Sequence, residues 1–250
     1  MITGASSGIG KEFAKALSTG EYHLILVARR EERLIALKDQ LGCECTIITS
    51  DLSQREQCYD LYDKVKDFNI ELLINNAGFG DCGFFVEGDL EKELDMLNVN
   101  VKALHILTKL ILKQMYHRNS GYILNVASSA GLFPGGPYMA SYYATKAYVT
   151  SFTQAIAKEL KDMNSSVYIG CLCPGPVHTE FNYVANVEFS LKGISAAECV
   201  RYCLKMMKKK KIVIIPSLIM KLAVVLGKIS PRSLCIAVAA HQQKKKFYRK

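Results

Sequence analysis

Short apolar segments alternate with helical patterns along most of this chain, and that alternation limits the fold more than any other feature of the sequence. Each segment has the length and composition of a buried parallel strand. The segments occupy residues 23–28, 45–49, 71–78, 121–128, 167–173 and 211–216. Because helical patterns separate them, right-handed crossover connections are expected. The sequence therefore predicts an α/β fold, a Rossmann-type doubly wound parallel sheet with helices on both faces.

A glycine-rich turn at residues 3–10 leads directly into the start of an amphipathic helix. Glycine lets the backbone approach a pyrophosphate closely, and the helix N-terminus offers it unpaired N–H groups. Arg29 and Arg30 end the next apolar segment, where a dinucleotide fold meets the adenosine ribose. Arginine at this point favours the 2′-phosphate of NADP over the free hydroxyl of NAD. The alternative is a solvated pair that opens the helical pattern at 31–41.

A longer helical pattern covers residues 141–163, where no Gly or Pro interrupts a single apolar face. Tyr142 and Lys146 stand four residues apart, so their side chains project from the same side of the helix. An ammonium beside a phenol favours the phenolate, which predicts a tyrosine pKa lowered from about 10 toward neutrality. Such a phenol exchanges a proton readily with a substrate oxygen. The alternative is a surface pair that shares helical spacing by chance.

Four motifs in order make the sequence resemble the short-chain dehydrogenase/reductase family over residues 2–215. They are T-G-x-x-x-G-I-G at 3–10, N-N-A-G at 75–78, Ser128 followed by Tyr142-x-x-x-Lys146, and P-G-P-V-H-T at 174–179. Each motif alone is weak, and their order and spacing together carry the resemblance. The resemblance implies an enzyme that interconverts a carbonyl and a secondary alcohol by hydride transfer with NADP(H).

The resemblance also implies roles for single residues. Tyr142 is the general acid or base, and Lys146 lowers its pKa and binds the nicotinamide ribose. Ser128 polarises the substrate carbonyl, and Asn100 holds a proton-relay water beside the lysine. Ser129 and Asn98 are rivals for the last two roles. The residues expected to line the cofactor are Gly4, Ser6, Ser7, Gly8, Ile9, Arg29, Arg30, Asp51, Leu52, Asn76, Ala77, Gly78, Tyr142, Lys146, Pro174, Gly175, Val177 and Thr179.

The segments that flank the substrate in this family are apolar here. Residues 131–139 form a turn-rich loop, and Phe181, Tyr183 and Phe189 follow Thr179. An apolar pocket for a lipid-like, steroid or acyl substrate is the interpretation we favour. The alternative is a set of core aromatics beneath a loop. Ser195 and Glu198 form a capping box that starts the next helix.

Charge is distributed unevenly along the chain. The first 198 residues hold eighteen basic and twenty-three acidic side chains, whereas residues 201–250 hold fourteen basic and no acidic ones. We assign residues 1–216 to a catalytic dinucleotide-binding domain and residues 217–250 to a basic, partly apolar helical extension. Its apolar stretches fall short of the roughly 20 residues that span a bilayer. The extension therefore either lies on an anionic membrane surface or covers the pocket or a subunit contact. No nucleic-acid recognition motif accompanies the charge.

The nine cysteines show no C-x-x-C spacing and no histidine at ligand spacing. They are expected to be reduced and mostly buried, and no metal site is predicted. The first thirty residues contain no secretory signal pattern, so we expect a cytoplasmic protein. Only Met1 and Ile2 precede the glycine-rich turn, where the family has a full central strand. We therefore expect the native start to lie upstream.

Two functions of different class remain at this stage. The first is the NADP-dependent oxidoreductase, and the second is a catalytically inactive dinucleotide-binding sensor or scaffold. The presence of Asn100, Ser128, Tyr142 and Lys146 favours the enzyme. The family resemblance implies a homodimer or homotetramer formed through the helices near Leu90 and Tyr142.

Overall fold

A parallel sheet of seven strands forms the centre of the molecule in this computed structural model, which describes residues 1–181, 185 and 193–247, with side chains to Lys244. The strands are β1 Ile2–Thr3, β2 Leu24–Ala28, β3 Cys45–Thr49, β4 Leu72–Asn75, β5 Tyr122–Val126, β6 Tyr168–Leu172 and β9 Val213–Ile214. Their spatial order is β3-β2-β1-β4-β5-β6-β9. A small second sheet pairs β7 Val177–His178 with β8 Ile194–Ser195. The predicted α/β class and all six predicted strands are confirmed.

The strand order reverses between β1 and β4, and that reversal positions the site. Ile2 pairs with Leu26 on one side and with Ile74 on the other. In open parallel sheets, ligands bind outside the carboxyl ends of the strands at such a switch point. The glycine-rich turn after β1 and the N-N-A-G motif after β4 therefore meet at the same edge.

Helices cover both faces of the sheet. They are α1 Gly8–Leu17, α2 Glu31–Lys38, α3 Arg55–Val65, α4 Leu90–Leu97, α5 Leu104–His117, α6 Ala140–Asp162, α7 Ala196–Lys208, α8 Leu218–Ile229 and α9 Arg232–Phe247. One core cluster includes residues of α1, α2 and α7, and another includes residues of α3, α5 and α6. The predicted capping box is confirmed, because the Ser195 and Glu198 side chains each bond the other's backbone N–H.

The helical segment that begins at Leu90 and ends at His117 is not one regular α-helix. A π-helical turn, Asn98–Ala103, separates α4 from α5. Hydrophobic spacing cannot reveal such a turn. The turn shifts the backbone hydrogen bonds from an i to i+4 to an i to i+5 pattern, while the apolar face of the helix continues. This wider turn carries Asn100.

The chain start is tied to the sheet by backbone bonds. The Met1 ammonium donates to the carbonyl of Leu72 (2.7 Å), and the Met1 carbonyl accepts from Ile74 (2.9 Å). Burial lowers the pKa of this ammonium to about 5. That the native start lies upstream stays a prediction.

Several sequence expectations concern parts of the chain that are not described. Tyr183 and Phe189, expected near the substrate, lie outside the described residues, as do residues 248–250 of the basic terminus. Among the residues that are described, no helix combines the length and apolar character needed to cross a membrane.

Candidate active site

The glycine-rich turn is shaped so that only glycine fits at its critical positions. Gly4 has a φ of +65°, and a Cβ there would come within 2.8 Å of the Ala77 Cα. A Cβ on Gly10 would lie 2.3 Å from the Gly4 carbonyl oxygen. The Asn76 amide donates to the carbonyls of Thr3 (3.0 Å) and Gly4 (3.1 Å). The motifs at 3–10 and 75–78 thus build one rigid cradle at the N-terminus of α1, which fits a dinucleotide pyrophosphate.

Arginine side chains lie beside this cradle, where the sequence predicts the adenosine end of the cofactor. Arg30 Nη2 donates to the hydroxyls of Ser6 (3.2 Å) and Ser7 (3.3 Å) and pairs with Glu180 (3.1 Å). Arg33 Nη1 pairs with the other Glu180 oxygen at 2.5 Å. Hydrogen bonds from Arg33 and then Arg30 hold the pKa of Glu180 below its usual value. Arg33 and Glu180 were missed in the sequence, because their pairing joins segments 147 residues apart.

Tyr142, Lys146 and Ser128 meet at the other end of the cradle. The Lys146 ammonium lies 5.8 Å from the centre of the Tyr142 ring and donates to the Val126 carbonyl (3.0 Å). Ser128 and Tyr142 share a side-chain hydrogen bond. The Ser128 oxygen also accepts from the backbone N–H of Ala130 (3.1 Å), which leaves its proton for Tyr142. Ser129 lines the same cavity, but Ser128 meets the phenol, which favours Ser128 over its rival.

A single cavity of about 800 Å³ brings these parts together. It is lined by Ser128 and by every residue that the sequence predicted to contact the cofactor. Its far wall is the C-terminal extension, for which the sequence left open a membrane surface, the pocket and a subunit contact. Residues of α8 and α9 close it, among them Ile219, Met220, Ala223, Gly227, Leu234, Val238 and Gln243.

The whole arrangement corresponds to a known family. A family model described as short chain dehydrogenase matches residues 1–188. The chain belongs to the short-chain dehydrogenase/reductase family. It is 32% identical over 201 residues to a very-long-chain 3-oxoacyl-CoA reductase from Anas platyrhynchos, an alignment that covers 76% of this chain and 62% of that protein. The chain thus spans less than two thirds of that relative.

Other relatives and solved structures agree with this family. An uncharacterized oxidoreductase from Staphylococcus epidermidis is 34% identical over 182 residues, which cover 72% of this chain and 77% of the relative. A short-chain dehydrogenase from Sphingobium yanoikuyae, solved in complex with NADPH, superposes with a TM-score of 0.82 at 29% identity, with 91% of each chain covered. A family member from Burkholderia phymatum, solved with NAD, gives a TM-score of 0.82 at 25% identity, over 96% of this chain and 94% of that one.

The pKa values of the dehydrogenase site correct one expectation from the sequence. Burial raises the pKa of Tyr142 well above its usual value, and the hydrogen bond with Ser128 opposes that rise only in part. Burial also lowers the pKa of Lys146 to about 8. The prediction of a phenol near neutrality is therefore wrong for the protein alone. Helical spacing revealed the pairing of the two side chains but not that both are withdrawn from water.

The buried charge of Lys146 leads to a prediction about stability. The unfolded lysine holds its proton up to the usual pKa of 10.5, whereas the folded one releases it near 8. Between these pH values the unfolded state binds more protons than the folded state, so the free energy of unfolding rises with pH. Below pH 8 the full cost of burying the charged lysine applies. Replacing the buried ammonium by an apolar side chain removes a desolvation penalty of about 3 kcal/mol. The Val126 carbonyl then loses its hydrogen-bond donor, which costs about 1 kcal/mol. We expect Lys146→Met to raise the free energy of unfolding by about 2 kcal/mol at pH 7.

Urea unfolding of both proteins at neutral and alkaline pH measures this gain. The gain in the free energy of unfolding should shrink steadily as the pH approaches 10.5, the usual pKa of lysine. Lys158→Met is the matched control, since Lys158 lies on the same helix with 69% of its side chain exposed. A gain of the same size at both pH values would contradict the proposed burial penalty.

Asn100 lies behind the cavity wall rather than in it. Its amide nitrogen donates to the Phe79 carbonyl (2.8 Å) and to the Thr145 hydroxyl (3.1 Å), and its oxygen accepts from the Phe79 N–H (3.0 Å). A Cβ on Gly78 would come within 2.8 Å of that oxygen. Asn100 therefore fixes the loop after β4 against α6. Its role as holder of a relay water stays a prediction, as does the preference for Asn100 over Asn98.

Proposed function

We propose that this chain is an NADP(H)-dependent oxidoreductase that interconverts a carbonyl and a secondary alcohol on a hydrophobic substrate. The observation that carries the proposal is the meeting of Ser128, Tyr142 and Lys146 in one cavity with the glycine cradle. Within the part of the chain that the structure describes, no group of three or more His, Cys, Asp and Glu side chains could hold a metal ion.

The chemistry of the proposed reaction follows from the positions of these side chains. A bound nicotinamide supplies a hydride to the carbonyl carbon in reduction, or accepts it from the alcohol carbon in oxidation. In reduction, the Tyr142 hydroxyl gives its proton to the substrate oxygen, which becomes the alcohol oxygen. The Ser128 hydroxyl donates a hydrogen bond to the same oxygen and stabilises its developing negative charge. The Lys146 ammonium favours the phenolate that remains on Tyr142.

The preference for NADP rests on the arginines beside the cradle. Arg29 and Arg30 both line the cavity, and Arg33 reaches Glu180 next to them. Guanidinium groups match a phosphate in charge and geometry. Solved relatives carry NADPH in one case and NAD in another, so the family alone does not decide between them.

A hydrophobic substrate is supported by the composition of the cavity wall. Phe79, Phe133, Met139 and Phe181 line it together with the apolar faces of α8 and α9. The curated relative named above is a very-long-chain 3-oxoacyl-CoA reductase, which supports an acyl-type carbonyl among the three hydrophobic classes. The aromatic segment after Thr179 supports the pocket interpretation through Phe181, whose ring lies 5.4 Å from that of Tyr142.

The length of the substrate chain is the most direct test. We expect kcat/KM for straight-chain 2-ketones, followed by NADPH absorbance, to rise about fourfold per added methylene until the cavity is filled. Ala223→Phe fills part of the α8 wall and should stop the rise at a shorter chain. Ala237→Phe, at an exposed position of α9, is the control. Higher kcat/KM for short, hydroxylated ketones would count against a hydrophobic substrate.

The inactive sensor is the weaker alternative, since all four proposed catalytic side chains are present and three of them are brought together. Assembly into a homodimer or homotetramer is part of the proposal. It is supported by the exposed side chains of Leu90, Leu94 and Leu97 on one face of α4. A cytoplasmic location agrees with nine cysteines that form no disulfide, seven of them buried.

A further inference from the structure

Helix α8 has two apolar faces that point in opposite directions. Leu218, Leu222, Val225 and Ile229 recur at three- and four-residue steps and form what we call the outer stripe. Their exposed fractions are 78%, 60%, 58% and 78%. Four large apolar side chains on one exposed helix face exceed what isolated surface positions explain, and such patches mark interaction sites.

The opposite face of α8 forms the cavity wall. Met220, Ala223 and Gly227 line the cavity, and Val224 is buried. A Cβ on Gly227 would come within 3.2 Å of the Phe133 ring, and a Cβ on Gly175 within 2.6 Å of Met220. One helix therefore separates the proposed substrate cavity from the surroundings of the outer stripe.

The charged side chains of the chain segment that carries the outer stripe all have one sign. No acidic residue follows Glu198 in the sequence. Lys228 and Arg232 are exposed at the end of α8 and the start of α9, and Lys209, Lys210 and Lys211 are exposed after α7. Lys221, on the flank of α8, contacts the Tyr202 ring at 4.8 Å. An apolar stripe on a segment whose charged side chains are all basic complements a bilayer with anionic headgroups.

We propose that the outer stripe inserts into the headgroup boundary of an anionic bilayer, and that apolar substrate passes from the bilayer around α8 into the cavity. The second half of this inference rests on the proposed function, whereas the first does not. A second copy of the chain is the less favourable occupant. Pairing two outer stripes would bring together two extensions that carry basic and no acidic side chains, and like charges repel.

Vesicle sedimentation of the full chain tests the surface. The probes are vesicles of phosphatidylcholine alone and vesicles with about 30% phosphatidylglycerol. We expect binding to the anionic vesicles only, weakened when the salt concentration rises from about 0.1 M to about 0.5 M. Leu218→Ser combined with Leu222→Ser should weaken binding roughly a hundredfold, since each loses about tenfold. Lys228→Gln should weaken it about fivefold.

Matched controls distinguish insertion of the outer stripe from non-specific adsorption of exposed apolar side chains. Val86→Ser and Met163→Ser remove apolar side chains that are 90% and 54% exposed elsewhere on the surface. Both should bind vesicles as the unaltered protein does. Equal binding by the Leu218/Leu222 variant would overturn the proposal. A second result would also overturn it. In that result the unaltered protein does not bind vesicles and sediments as a dimer, and the Leu218/Leu222 variant sediments as a monomer.

Enzyme assays keep this inference distinct from the proposed function. With a water-soluble ketone and no vesicles, the Leu218/Leu222 variant should turn over as the unaltered protein does. With a long-chain ketone dissolved in anionic vesicles, its rate should fall about tenfold or more. If no ketone is reduced under any condition, the proposed function fails, and the sedimentation result still decides the membrane surface.

Discussion

Tyr142→Phe should lower kcat for carbonyl reduction roughly 10²- to 10⁴-fold, which is the usual contribution of a positioned acid. The affinity for NADPH should stay within about twofold of its original value, a change of under 1 kcal/mol. The phenyl ring keeps the packing of the tyrosine, because the contacts to Phe181 (5.4 Å) and Tyr143 (6.4 Å) join ring to ring. The variant loses the phenol proton and the hydrogen bond with Ser128. The expected loss is therefore chemical rather than structural.

Steady-state turnover and fluorescence titration with NADPH measure the two quantities separately. Tyr148→Phe is the matched control, because Tyr148 lies on the same helix and its hydroxyl meets His105 at 2.6 Å, away from the cavity. It should retain full turnover. A Tyr142→Phe protein with more than half of the original kcat would remove Tyr142 from the mechanism. Loss of both turnover and NADPH binding would make its role structural.

The fold was largely predictable because its signals are local. Each buried strand forms a short apolar run, and its polar end lies within a few residues of it, as in β4 and the following Asn76. Parallel strands then bring those ends to one edge of the sheet without further information. The positions of the glycine cradle and Ser128 follow from this rule, and the pairing of Tyr142 with Lys146 follows from their spacing on one helix.

What the sequence missed or left undecided depends on contacts between distant segments. Gln243 donates to the Tyr143 hydroxyl across 100 residues of chain, which places α9 over the cavity. The amide of Asn75 bonds Thr108 and Asn125, and Asn125 bonds Thr153, so a buried polar chain links β4, α5, β5 and α6. Single-sequence patterns treat these residues as an ordinary strand end or helix position. The pKa values of Tyr142 and Lys146 were missed for the same reason, since burial is a property of the packed structure.

The pairing of Glu180 with two arginines leads to the second large expected effect. A 2′-phosphate that enters beside Arg30 must replace a carboxylate already bound there. Losing two charge-assisted hydrogen bonds costs about 3 kcal/mol or more, so Arg29→Ala with Arg30→Ala should lower kcat/KM for NADPH roughly a hundredfold. NADH, which lacks the phosphate, should be affected by about threefold at most. The ratio of the two kcat/KM values is the quantity to measure.

Glu180→Gln should change the preference for NADPH over NADH in the opposite direction. Removing the carboxylate frees Arg30 and Arg33 and removes a negative charge from the path of the phosphate. It should therefore lower the Kd for NADPH about three- to tenfold at low salt, with little change for NADH. Lys38→Ala, at the exposed end of α2, is the control and should change neither cofactor. If the arginine variants leave the NADPH to NADH ratio unchanged while Glu180→Gln weakens NADH binding and leaves NADPH binding unchanged, the carboxylate binds the ribose 2′-hydroxyl instead. The chain would then be an NAD enzyme whose arginines serve only to position Glu180.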